Sequence, residues 1–409
     1  MMIVITIALR NLWRNPRRTL LNAAGIGFAV LLMVFAYAMQ TGTFSVMVDN
    51  LSRLSTGHLQ IQVPGFQDNP RLRLTLAGAD VLRKQVEKLP GVQVAALRAS
   101  SFALVSSAED RTFGALVTGV EPARERIGST LPDRVSIGRY IEDGSEAVIG
   151  AALGRNLGIG VGDEMVVLGS AKRGGVAALV LEVVGIVETL QPEMDRTIVH
   201  VPLTVFREGF GLGDEAHAVV ITGNEVDMAF AIADRVSETV GREGVTVLAW
   251  NELMPGVEEA IELKRVGGNF MFALLAALVT FAVVNTFIMV VFERGQEFGM
   301  LLALGNRPRW IVSMLQLEAA ALALFGIAAG LAVAVALVLW LERVGIPLPE
   351  GATDALEQFQ MPSRLHPTLT WAPVIVASVV MLLATQLAAF FPALKVLRIE
   401  PTEALRPES

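Results

Sequence analysis

Residues 293–305 read ERGQEFGMLLALG. They lie between two apolar runs, residues 269–292 before them and a run that begins near Trp310 after them. A helix needs about 20 mostly apolar residues to cross a bilayer core, and both runs meet that length. Glu293, Arg294 and Glu297 therefore stand at a membrane boundary. Residues 298–304 are too few to span and too apolar for an ordinary solvated loop. They predict an amphipathic helix lying at the membrane surface, with an apolar side to offer.

Working outward from this elbow, four runs qualify as membrane spans: residues 19–41, 269–292, 311–341 and 371–391. Trp13, Trp310, Trp340 and Trp371 lie at or near span ends, where amphipathic rings favour the interface. Arg10, Arg14, Arg17 and Arg18 precede the first span, Arg294, Arg307 and Arg309 follow the second, and Lys395, Arg398 and Arg406 follow the fourth. The opposite side has sparser positive charge, so both termini and residues 293–310 are expected in the cytoplasm. Residues 42–268 and the loop 342–370 are then expected on the far side of the membrane. Arg17-Arg18-Thr19-Leu20-Leu21 and Ala36-Tyr37-Ala38 have the look of an export signal and its cleavage site. The apolar run between them has the length of a full span, and a retained span is the reading adopted. Ile3, Ile7, Leu9, Leu12 and Trp13 recur at helical spacing beside Arg10 and Arg14, which predicts an interfacial cytoplasmic helix over residues 1–18. Residues 392–409 are read as a cytoplasmic tail.

Bulk composition agrees. The chain has 409 residues, 53% of them hydrophobic and only 18% charged, and its mean hydropathy is +0.54. These values are those of a membrane protein. A net charge of −7 without a basic face gives no sign of nucleic-acid binding. The absence of cysteine excludes disulfides, thiolate metal sites and thiol nucleophiles. His58, His200, His217 and His366 show no ligand spacing, so no metal is expected.

The large segment 42–268 reads as α+β. Residues 58–63 alternate as a strand does, residues 79–89 form a helix before Pro90-Gly91, and strands are expected at 92–96, 102–106 and 112–120. A related order returns at 218–222, 226–240 and 245–250. The two β-α-β passages predict one α+β subdomain built from both ends of the segment. Between them, about residues 125–215, glycines separate short apolar runs, which predicts a β-rich insert. Residues 43–54 and 251–268 read as helical stalks continuing the first two spans, the second begun or kinked at Pro255.

Residues 154–162 are glycine-rich but contain no Lys-Ser/Thr pair and do not sit between a strand and a long helix, so they read as turns and not as a phosphate cradle. Asp110, Asp133, Asp143 and Asp163 form no acid–base constellation. No cofactor is expected on this chain, and the chain is expected to be non-catalytic. Within the spans, Asn22, Asn285, Thr286, Glu318 and Gln386 are too few for an aqueous path. Asn285 reads as an interhelical hydrogen-bonding group. Ala23, Ala24, Gly25, Gly27 and Ala29 give a small-residue face, suited to close packing with either a partner chain in a dimer or the chain's own helices.

The layout of one span, a large outer domain and three further spans resembles the MacB/FtsX-like permease family of mechanotransmissive ABC transporters. ERGQEFGMLLALG is similar to that family's coupling segment, E-R-x-x-E-x-G-x-L-R-A-x-G. ALRNLWRNPRRTLLN, VTGVEP at 117–122, AVIGAALGRNLGIGVGDEMVV and FPALKVLRIEPTEALR support the resemblance. One departure is Leu302, where the family commonly carries Arg. The chain length and the Gly345-Ile346-Pro347-Leu348-Pro349 loop are most similar to the lipoprotein-releasing permeases LolC and LolE. The resemblance implies that Glu293, Arg294, Glu297, Phe298, Gly299, Leu301, Leu304 and Gly305 couple the chain to a cytoplasmic ATPase dimer. It implies ATP bound on that partner, a second permease copy or paralogue, and contact with membrane lipids. It also implies outer-domain movements that extract lipoproteins or other amphiphiles. The family's other activities are efflux with a periplasmic adaptor and outer-membrane channel, and regulation of a cell-wall hydrolase.

Overall fold

Among the described residues, four helices are long and apolar enough to cross a membrane: Pro16–Leu51, Pro255–Glu293, Pro308–Val344 and Trp371–Val396. They belong to a computed structural model that describes residues 14, 16–109, 111–241, 244–347 and 364–396. The interfacial pattern at residues 3–13, residues 348–363 of the outer loop and the tail from 397 onward lie outside the described residues. The first two long helices contain 36 and 39 residues, roughly 55 Å each at 1.5 Å per residue, against a hydrocarbon core of about 30 Å. Each therefore runs well beyond its apolar stretch, as the stalk pattern in the sequence anticipates. Pro255 starts the second helix, where its missing N–H costs nothing.

The chain divides into two units. The described part of the first comprises residues up to Thr43, residues 261–347 and residues from Arg364. Its core is the apolar packing of all four long helices, among them Ile26, Val30, Met33, Phe272, Phe287, Leu322 and Met381. The small-residue face of the first helix makes an internal contact. Ala23, Gly27 and Ala29 are buried, whereas Ala24 and Gly25 are exposed. A Cβ on Gly27 would stand 2.9 Å from the carbonyl oxygen of Gly326, and one on Gly330 would overlap Gly27 itself. The first and third helices thus approach backbone to backbone, which only glycine permits here. Polar groups join the first and second helices: Thr286 Oγ1 donates to Asn22 Oδ1 at 3.0 Å, and Tyr37 Oη to Asn269 Oδ1 at 2.5 Å. Asn285, expected as the interhelical group, is exposed instead. Its neighbour Thr286 does that work because a one-residue step turns a helix by about 100°.

The second unit contains residues 44–260. Its strands are β1 (Leu59–Gln62), β2 (Val92–Ser107), β3 (Thr112–Val120), β4 (Val135–Gly138), β5 (Glu146–Gly150), β6 (Glu164–Ser170), β7 (Val176–Val187), β8 (Ile198–Pro202), β9 (Ala218–Gly223) and β10 (Thr246–Ala249). They form one sheet in the order β10-β1-β9-β2-β3-β8-β5-β7-β4, with β6 pairing β2 and β7. Both β-α-β passages contribute, since β1 lies between β9 and β10 and β9 pairs β2. The β-rich stretch is hydrogen-bonded into the same sheet through the parallel β3–β8 pair and the antiparallel β2–β6 pair. Helices Ala79–Val86 and Ala229–Val240 bury Leu82, Val86, Ile232 and Val236 against it.

Two expected strands, 92–96 and 102–106, are one. β2 continues through Leu97-Arg98-Ala99-Ser100-Ser101, with Leu97 and Ala99 buried. The polar residues between them hide the alternation. Arg98 sits there because it ion-pairs with Glu125, which is 1% exposed, and a buried charge needs such a partner.

Candidate functional site

The second long helix ends at Glu293, and a separate helix, Gly295–Ala303, follows it. Arg294 makes the corner with φ −104° and ψ 14°, outside helical geometry. The other end closes at Gly305, whose φ of +91° is open to glycine and strained for other residues. Asn306 then caps the turn, its backbone N–H donating to the Leu301 carbonyl at 3.1 Å and its Nδ2 donating to the same oxygen at 3.0 Å. Pro308 opens the third long helix. The elbow thus has two fixed corners and nine helical residues between them.

Its packing is one-sided. Phe298 is 0% exposed and lies among Val291, Ile311, Met314, Leu315, Ala393 and Val396. Gly299 is buried, and Leu301 and Leu302 are half-buried against that cluster. Gln296, Met300, Ala303 and Leu304 face outward; Met300 is 56% and Leu304 75% exposed. The spacing 296, 300, 303 and 304 is one edge of a helix. The apolar side expected from the sequence is therefore divided: Phe298, Gly299 and Leu301 turn toward the chain's own helices, and Leu304 turns away with Met300.

Charges hold the first corner. Arg294 Nε donates to Glu297 at 3.0 Å and Nη1 to Glu318 at 3.2 Å, and its guanidinium stands 5.2 Å from the Phe298 ring centroid. Arg14 also ion-pairs with Glu297. Arg18 reaches Glu293 at 2.8 Å and the carbonyl of Thr286 at 2.6 Å. The hydrogen bond from Arg14, against the opposing effect of partial burial and with help from Arg294, holds the Glu297 carboxyl below the usual carboxylate range. A cavity of about 130 Å³ lies within this network, lined by Arg14, Arg18, Asn22, Arg294 and Glu318 among others.

Of the residues expected to couple, Glu293, Arg294 and Glu297 come together at this corner, and Glu318 joins them from the third helix. Met300, Arg14 and Arg18 were not in that set. The signal for the arginines was available: basic residues flank the first span at the same boundary where acids follow the second. Nothing local singles out Met300 from its apolar neighbours. Among the described residues, no cluster of His, Asp or Glu is arranged to hold a metal.

A model of the MacB-like periplasmic core domain matches residues 19–239, and a model of the FtsX-like permease C-terminal region matches residues 269–401. The lipoprotein-releasing system transmembrane protein LolC of Neisseria meningitidis is 23% identical over 400 residues, covering 95% of this chain and 94% of LolC. An uncharacterised ABC transporter permease of Methanocaldococcus jannaschii is 20% identical over 414 residues, covering 99% and 98%. The periplasmic region of MacB from Actinobacillus actinomycetemcomitans aligns with a TM-score of 0.37 at 13% identity, covering 52% of this chain and 97% of that one.

Proposed function

The chain belongs to the family that joins a MacB-like periplasmic core domain to an FtsX-like permease region, and we propose that it turns ATP binding by a separate cytoplasmic ATPase dimer into movements of its second unit. It is an ABC transporter permease, a membrane protein with four spans and an outer domain. In this reading the outward edge of the elbow, Gln296, Met300, Ala303 and Leu304, sits on the ATPase. ATP is bound there and not on this chain. Force enters through the elbow and passes by Arg294, Glu297 and Glu318 into the second and third helices.

The observation that carries this reading is the fixing of the elbow. Phe298 is sunk among three long helices of the membrane unit, and Arg294 ties the corner to Glu297 and Glu318. An elbow held this way moves with the helices and does not swing as a loose loop. The second helix continues unbroken from Glu293 back to Pro255, so the displacement has a stiff path. Because relatives named for lipoprotein release align with nearly the whole chain, the cargo in this reading is a lipoprotein or another amphiphile drawn from the inner membrane. In this reading both termini and the elbow lie in the cytoplasm and the second unit in the periplasm, which the excess of Lys and Arg beside the elbow supports.

The test is purification of the full chain from its native membrane, with the associated proteins and lipids identified by mass spectrometry. A P-loop ATPase and a lipidated protein are expected. Recovery with a periplasmic adaptor and no lipidated cargo would move the reading to efflux.

A further inference from the structure

In the second unit, β1 and β10 run antiparallel, with Gln62 opposite Thr246 and Gln60 opposite Leu248. Leu59, Ile61 and Ala249 point into the core. By strand alternation Gln60, Gln62, Thr246 and Leu248 share the other face. Gln62 is nevertheless only 2% exposed. It forms one wall of a pocket of about 290 Å³, completed by Gln67, Asp68, Thr246, Leu248 and Glu252 among others. That is near the lower end of the volumes that take small organic ligands, roughly 300–1,000 Å³. The loop that carries Gln67 and Asp68 is fixed in place. Gly65 turns it with a φ of +80°. Phe66 is buried and stacks on His217, with 5.0 Å between ring centroids. Gln67 Nε2 donates to the Leu253 carbonyl at 3.2 Å.

Two amides settle what the pocket offers. Gln60 Nε2 donates to the Thr56 carbonyl at 2.6 Å, which leaves Gln60 Oε1 to accept from Gln62 Nε2 at 2.5 Å. Exchanging the oxygen and nitrogen of Gln62 would set two oxygens against each other, so the relay fixes the orientation of both side chains. It ends at Gln62 Oε1, which is buried and has no partner among the described residues. A buried acceptor without a donor costs stability, so an occupant of this pocket must bring an N–H or O–H. Asp68 and Glu252 add two carboxylates, and Glu252 Oε1 takes the Ala249 N–H at 3.4 Å. Among the described residues, no Lys, Arg or His lines the pocket. A wall of acceptors without a cation calls for a positively charged donor. An ammonium carries three N–H donors and no acceptor, one for each of Gln62, Asp68 and Glu252. Val63, Pro64 and Leu248 supply apolar surface for an alkyl stem. A calcium ion fits less well, since it takes six to eight oxygens and no acidic cluster among the described residues is arranged for a metal.

We propose that this pocket binds a primary ammonium on a short alkyl stem, held by Gln62 Oε1, Asp68 and Glu252. The source is a free aliphatic amine or a lysine side chain of a bound polypeptide. The inference goes beyond the permease reading and does not rest on it.

The test is isothermal titration of the full chain in detergent with n-butylammonium at constant ionic strength. Saturable binding at one site per chain is expected. Butyltrimethylammonium, which has the same charge and no N–H, is expected to bind at least ten-fold more weakly. Gln62→Met removes the amide oxygen and keeps every charge, and Asp68→Asn alters an exposed loop residue. Each is expected to weaken n-butylammonium at least five-fold, with the thermal midpoint of each variant reporting its fold. Should Gln62→Met fail to fold, Asp68→Asn decides alone. Tighter binding of Nα-acetyl-lysine amide than of n-butylammonium assigns the site to a lysine side chain, and weaker binding assigns it to a free amine; both support the site. The proposal is overturned by no saturable heat, by equal binding of butyltrimethylammonium, by binding of calcium alone, or by unchanged affinity in folded Asp68→Asn.

Discussion

Arg294 engages two carboxylates and an aromatic ring at the bend between two helices. Arg294→Met removes a cation from Glu297 and Glu318 together, and Glu318 is 8% exposed. Losing a charged hydrogen-bond partner at a largely buried acid costs about 2 kcal/mol. The thermal midpoint of the detergent-solubilised chain is expected to fall accordingly, and Arg294→Met with Glu318→Met is expected to recover most of the loss. A second residue-level effect lies in the other unit. His200 is buried, with Tyr140 Oη 2.8 Å from its Nδ1, and burial lowers its pKa to about 4. The folded chain therefore refuses a proton that the unfolded chain accepts near pH 6.5. Stability from this group is complete above that pH and declines as pH falls from 6.5 toward 4. Between pH 7 and 5 the loss is about 2 kcal/mol. Hydrogen exchange of β8 amides at the two pH values measures it, and His200→Gln is expected to flatten the dependence. A slope unchanged by His200→Gln would assign the effect elsewhere.

At the level of elements, the elbow and the close helix contact make opposite demands on side-chain size. Phe298→Ala empties a filled site and is expected to cost about 3 kcal/mol, whereas Leu304→Ala on the exposed edge should cost less than about 0.5 kcal/mol. Gly330→Leu would force the first and third helices apart, and folded protein recovered from membranes should drop sharply. The sequence shows these elements unequally. The spans and the charged boundary at Glu293-Arg294 are legible because an apolar run and a charge boundary are local signals. Which way Phe298 points is not. Phe298, Gly299, Met300, Leu301, Leu302 and Ala303 are all apolar, so no helical period separates inner from outer sides. The Arg14–Glu297 pair joins residues 283 positions apart, beyond the reach of any local pattern. In the sequence β2 reads as two strands, because Arg98, Ser100 and Ser101 interrupt an alternation that continues beneath them.

For the whole molecule, the chain is a permease whose second unit is inserted between its first and second spans. Charge asymmetry predicts that a reporter at residue 160 reads as periplasmic and one at residue 300 as cytoplasmic; the reverse pattern would place the elbow on the wrong side for an ATPase. The central claim is that the outward edge of the elbow receives the ATPase. The most direct measurement is recovery of the ATPase with the full chain carrying Met300→Asp and Leu304→Asp, which change exposed side chains and spare buried Phe298. The account predicts wild-type insertion in the membrane with the ATPase lost from the purified complex by at least ten-fold. Recovery of the ATPase at wild-type stoichiometry with this variant would contradict it.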